Sequence, residues 1–72
     1  MKYMVVIEKG ESSYGAYVPD LPGCVAAGET ESEVRELIQE AISFHIEGLI
    51  EDGELVPAPS SESFFIDVST AA

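Results

Sequence analysis

The stretch that most restricts what this chain can fold into is residues 30–52, one long amphipathic helix in a sequence of 72 residues. At 3.6 residues per turn, Val34, Leu37, Ile38, Ala41, Ile42 and Leu49 fall on one stripe, and Glu36, Gln39, Glu40, Ser43 and Glu47 lie largely opposite. Phe44 flanks the stripe. Ile46 and Ile50 lie off it, toward the outer side, which points either to a second contact surface or to loops that cover them. The start is marked by Thr30, whose hydroxyl can cap the first free N–H groups, with Glu33 three residues on as a capping box requires. Glu29, Glu31 and Glu33 also sit at the positive end of the helix dipole. Gly53 is the stop, with Pro57 and Pro59 soon after. Glu51 and Asp52 oppose the dipole, so the last turn is expected to fray.

The other elements are short and β-like. Residues 3–8 alternate, with Tyr3, Val5 and Ile7 on one side and Met4, Val6 and Glu8 on the other; apolar residues on both faces predict a central strand. Lys9-Gly10-Glu11-Ser12-Ser13 reads as a hairpin loop. Residues 14–18 form the second strand, with Tyr14, Ala16 and Val18 on one face, and residues 25–28 a short third. Between them lies Pro19-Asp20-Leu21-Pro22-Gly23-Cys24. Two prolines exclude it from sheet interior, Pro22-Gly23 is a turn, and Leu21 can anchor it on the core. After the helix, residues 54–63 are a proline- and serine-containing connector, Phe64-Phe65-Ile66-Asp67-Val68 reads as a last strand, and residues 69–72 as a mobile tail.

The order is therefore β-β-β-α-β, an α+β fold in one domain over residues 1–72. Three strands form an antiparallel meander, and a right-handed crossover through the helix would lay strand four parallel beside strand one. The result is a four-stranded mixed sheet of order 3-2-1-4 with the helix on one face. Strands three and four are left as edges open to another chain. So short a chain buries a small share of its surface, and a homodimer is expected.

Three basic residues against fourteen acidic ones give a net charge of −11. Such a surface repels a phosphate backbone, so nucleic acid is not expected as a direct partner; a basic protein is. No apolar run approaches the roughly 20 residues needed to span a bilayer, and Glu8 interrupts any signal-peptide core, so a soluble, cytoplasmic protein is expected with no membrane partner. One cysteine cannot form an internal disulfide, which fits a reducing compartment.

Catalysis has little to draw on. His45, the single histidine, falls at the centre of the stripe and reads as a packed side chain hydrogen-bonded at a strand. Cys24 reads as a small apolar group. Glu8, Asp20 and Asp67 are the carboxylates that strand pairing could gather around a metal, but their spacing matches no metal loop. No glycine-rich phosphate loop and no basic-aromatic surface is present. The expectation is a chain with no catalytic residues, metal or cofactor.

The run Tyr14-Gly15-Ala16-Tyr17-Val18-Pro19-Asp20-Leu21-Pro22-Gly23-Cys24, followed by Ala27-Gly28-Glu29-Thr30, then by a helix ending in Glu51-Asp52-Gly53-Glu54 and a proline connector, resembles the HicB-like antitoxin family. The resemblance runs from Tyr3 to about Val68. It implies a partly degraded ribonuclease-H-like fold, in agreement with the order above, that has lost its nuclease carboxylates. It also implies a HicA-type toxin as partner, a small basic ribonuclease that cleaves mRNA and whose active site the antitoxin covers. Many members append a C-terminal DNA-binding domain; the sequence stops at Ala72, so the resemblance is to a short form, and autorepression through DNA is not carried over. Exposure and charge select Asp20, Leu21, Cys24, Glu29, Glu31, Glu36 and Glu40 as the partner-binding residues. Two other readings compete. One is a self-associating scaffold without a toxin, using open edges with Ile46 and Ile50. The other is a residual metal-dependent nuclease using Glu8, Asp20 or Asp67.

Overall fold

A computed structural model of the chain describes residues 1–70. Three strands precede one helix: β1 (Val6–Lys9), β2 (Tyr14–Tyr17), β3 (Val25–Gly28) and α1 (Glu31–Glu51). The strands form an antiparallel meander of order β1-β2-β3, in register at Ile7↔Ala16 and Ala16↔Ala26. Residues 10–13 make the first hairpin loop, closed by the Gly10 N–H donating to the Ser13 carbonyl at 2.8 Å. The ladder between β1 and β2 ends at Val6↔Tyr17 rather than continuing to Tyr3. Pro19, two residues beyond Tyr17, has no N–H to donate and turns the chain away.

Alternation puts Val5, Ile7, Tyr14, Ala16, Val18 and Ala26 on the face that packs against α1. The helix lies over β2 and β3. The fully enclosed core is small: Ala16, Val18, Leu21, Cys24, Val34 and Ile38. From the helix, Val34, Ile38, Ile42 and Ile46 face it. These four follow a row spaced by four residues, which is inclined to the helix axis. That inclination brings Ile46 inward, where a straight stripe had put it outside, and turns Leu37 out to the flank.

Both helix ends are closed. The Thr30 hydroxyl accepts from the Glu33 N–H at 3.0 Å, and the Glu33 carboxylate accepts from the Glu29 N–H at 3.2 Å, one residue earlier than a standard capping box. At the other end the Glu54 N–H reaches the Leu49 carbonyl (2.9 Å) and the Gly53 N–H the Ile50 carbonyl (3.1 Å), with Gly53 at φ 71°. This is a Schellman closure. The fraying expected from Glu51 and Asp52 is therefore opposed by two backbone hydrogen bonds that charge counting does not see.

The sheet has three strands, and β1 is an edge strand, not a central one. Residues 64–68 form no strand, so the order 3-2-1-4 is not realised. The composition of this segment favours a strand, but a strand exists only when a ladder partner satisfies its N–H and C=O groups, and this one lies against no other strand. Ser69 and Thr70 likewise carry no regular structure, and the remainder of the expected tail, residues 71–72, lies outside the described residues.

Candidate partner-binding surface

The loop between β2 and β3 is two turns in succession. The Leu21 N–H donates to the Val18 carbonyl (3.1 Å), and the Cys24 N–H to the Leu21 carbonyl (3.0 Å). Pro22 occupies the first corner of the second turn and Gly23, at φ 85°, the second. The Val18 N–H then donates across the mouth to the Cys24 carbonyl at 3.2 Å. With its backbone satisfied locally, the loop inserts Leu21 into the core at 0% exposure and buries Cys24 beside it. Neither side chain is available to a partner, so these two residues serve the fold instead. Burial also pushes the Cys24 thiol pKa up, away from the reactive thiolate.

Asp20 is held by the chain itself. One carboxylate oxygen accepts from the N–H groups of Ser60 (2.8 Å) and Ser61 (2.9 Å), and the other from their hydroxyls at 3.1 and 2.7 Å. These bonds, the Ser61 hydroxyl foremost, lower its pKa to about 2. Asp20 is therefore a clasp that ties the connector after the helix to the loop before β3. The Tyr3 hydroxyl makes a second fastening, donating to the Pro57 carbonyl. No three carboxylates, histidines or cysteines converge as a metal site among the described residues. Glu8 and Asp67 are exposed, and Asp20 is engaged by serines. The arrangement that a residual nuclease needs is thus not assembled. His45 lies half-buried beside Phe44, Gly48, Leu49 and Asp52. The helix is longer than the strands it covers: 21 residues rise roughly 31 Å, whereas a four-residue strand spans about 13 Å.

Glu29, Glu31, Glu36 and Glu40 are all exposed, as the sequence predicts. Glu36, Gln39, Glu40, Ser43, Phe44 and Glu47 line a shallow acidic concavity on the outer helix face. Glu40 and Phe44 also border an apolar groove made with Leu37, Ala41, Val25, Ala26 and Ala27, along the β3 edge. The two depressions form one continuous surface, acidic on one side and apolar on the other. Phe44 stands at its centre, 79% exposed. The acids expected from the sequence thus share this surface with Phe44, Leu37 and Val25, which charge does not single out. The available signal was an aromatic residue beside the stripe rather than on it.

Among the described residues no helix is long and apolar enough to cross a membrane. A family profile described as "HicB_like antitoxin of bacterial toxin-antitoxin system" matches residues 3–68. The chain is 53% identical over 57 residues to an "Uncharacterized 14.9 kDa protein in rep-hol intergenic region" of Haemophilus phage HP1, covering 79% of this chain but 43% of that protein. A UPF0150 protein of Archaeoglobus fulgidus is 41% identical over 59 residues (78% of this chain, 86% of that one). "Antitoxin HicB 2" of Photorhabdus laumondii is 29% identical over 69 residues, 94% of this chain and 50% of that protein. This sequence therefore spans about half the length, or less, of the phage and Photorhabdus relatives. Among solved structures, a chain of a "HicA3 and HicB3 toxin-antitoxin complex" superimposes with a TM-score of 0.68 at 32% identity, covering 82% of this chain and 72% of that chain. With a profile match over almost its whole length and this structural likeness, the chain belongs to the HicB-like antitoxins of bacterial toxin–antitoxin systems.

Proposed function

We propose that this chain neutralises a small basic HicA-type ribonuclease by covering its active and RNA-binding surface, with no bond-making of its own. The observation that carries the reading is the joined acidic and apolar surface around Phe44, on a body that resembles a chain of a toxin–antitoxin complex. A toxin that binds RNA presents positive charge where the phosphates lie. Glu36, Glu40 and Glu47 oppose that charge and speed encounter, and Glu29 and Glu31 extend the negative field to the helix start. Phe44, with Leu37 and Val25, supplies the desolvated apolar centre that holds the complex once formed. Cytoplasmic action on a cytoplasmic ribonuclease follows from this reading, and a ribonuclease-H-like ancestry, which the family resemblance implies, is consistent with a sheet-and-helix body that has lost its nuclease carboxylates.

The test is inhibition of RNA cleavage by a HicA-type toxin on titration with the purified chain. Stoichiometric inhibition that weakens as salt rises is expected. Phe44→Ala should weaken binding by at least about tenfold, as loss of a buried aromatic anchor does. Glu36→Lys with Glu40→Lys should chiefly slow association. Undiminished cleavage in the presence of excess chain would end the proposal.

A further inference from the structure

We propose that residues 64–68 of one copy add as a strand to the open edge of β1 of a second copy, and that the exchange is reciprocal. Four features of the structure carry this inference. First, β1 is an edge strand whose outer N–H and C=O groups lack a ladder partner. Second, because α1 lies over β2 and β3, an apolar groove of about 320 Å³ remains beside β1, lined by Val5, Ile7, Ile38 and Ile42 with Arg35 and Gln39. Third, the same chain carries an arm of strand-forming residues that docks nowhere on its own body: Phe64 is 81% exposed, Ile66 69%, and Phe65 wholly. In an extended strand Phe64, Ile66 and Val68 share one side, the side that would fill the groove. Fourth, the root of the arm is fixed. Ser60 and Ser61 are clasped by Asp20, and Ser61, Glu62 and Ser63 lie beside Lys2, Tyr3 and Met4, the segment leading into β1. The arm then departs from the body. The radius of gyration is 14.8 Å, against about 11 Å for a compact chain of this length, and the molecule extends 54 Å in its long direction.

Arm and groove are present in every copy, so a two-fold exchange satisfies both at once and closes the assembly. This inference concerns self-association alone and does not rest on the toxin reading. Copies of charge −11 repel, so their association should tighten as salt rises, the opposite of toxin capture.

The experiment measures the mass of the full chain in solution by light scattering, with amide hydrogen exchange of residues 64–68 across a dilution series. Expected are a species of twice the 7.7 kDa chain mass and arm protection that grows with concentration. Ile66→Lys in the arm should weaken the dimer by at least about tenfold. Ile42→Lys in the groove should do the same, and mixing the two variants should restore a dimer held by the one intact arm-and-groove pair. If Ile42→Lys does not fold, the arm variant and the exchange data still decide. A monomeric wild-type chain at tens of micromolar overturns the proposal. So does an Ile66→Lys dimer as tight as wild type, or arm protection independent of concentration, which would mean that the arm folds back on its own β1.

Discussion

Two short segments outside the regular elements carry apolar side chains and meet opposite fates. The loop from Val18 to Cys24 buries Leu21 completely, and the arm at residues 64–68 leaves Phe65 fully exposed. Apolarity does not separate them; the backbone does. Three hydrogen bonds between Val18, Leu21 and Cys24 satisfy the loop from within, so its leucine enters the core without stranding polar groups. An arm of strand-like residues can be satisfied only by another strand, and its own body offers it none in place. Burial of a short apolar segment thus depends first on where its N–H and C=O groups find partners, and only then on its side chains.

The sharpest way to break this comparison is to truncate the buried member. Leu21→Ala should destabilise the fold by about 2–5 kcal/mol, read from the denaturant midpoint. A cost under about 1 kcal/mol would mean that the loop is not a core element. Gly23→Ala attacks the turn rather than the leucine. Space is open around its Cβ, so the cost should come from the positive φ alone, about 1–2 kcal/mol.

A milder effect is expected at the clasp between the two regions. The Asp20 pKa in the folded chain, about 2, lies below its ordinary 3.8. Its contribution to stability is therefore complete above pH 3.8 and is lost as pH falls from there through about 2. Proteolysis of the connector should accelerate over that window in the wild type, and Asp20→Asn should be cleaved quickly at every pH. Least affected should be the arm. Phe65→Ser, studied at concentrations low enough to keep the chain monomeric, should change folding stability by no more than about 0.5 kcal/mol. A larger loss would show that the arm already packs on its own body.

Legibility in the sequence followed the same division. Features that close locally were readable: the cap at Thr30, the stop at Gly53, the Pro22-Gly23 turn and the strand at residues 25–28 all stand where their own residues place them. Features decided by distant partners were not. Ile46 faces inward because the helix crosses the sheet along its four-residue row, an angle that no helical projection contains. The two-sided apolarity of residues 3–8 pointed to a central strand, yet β1 is an edge in the single chain. Charge alone places the helix acids at the surface, where they are, whereas Leu21 and Cys24, expected there with them, are buried. A Pro-rich loop reads as exposed until its hydrogen bonds are known. Phe44 flanks the stripe in the sequence, and only the fold sets it beside β3.

The helix is built like a beam set into a wall. Its inner row, Val34, Ile38, Ile42 and Ile46, carries the load of the fold, while Phe44, Glu47 and Ile50 stand in the open on its other faces. Exposed positions of this kind tolerate exchange at a cost within about 0.5 kcal/mol. The outer faces can therefore be rewritten while the inner row stays fixed, which leaves a small protein room to change its surface without changing its fold.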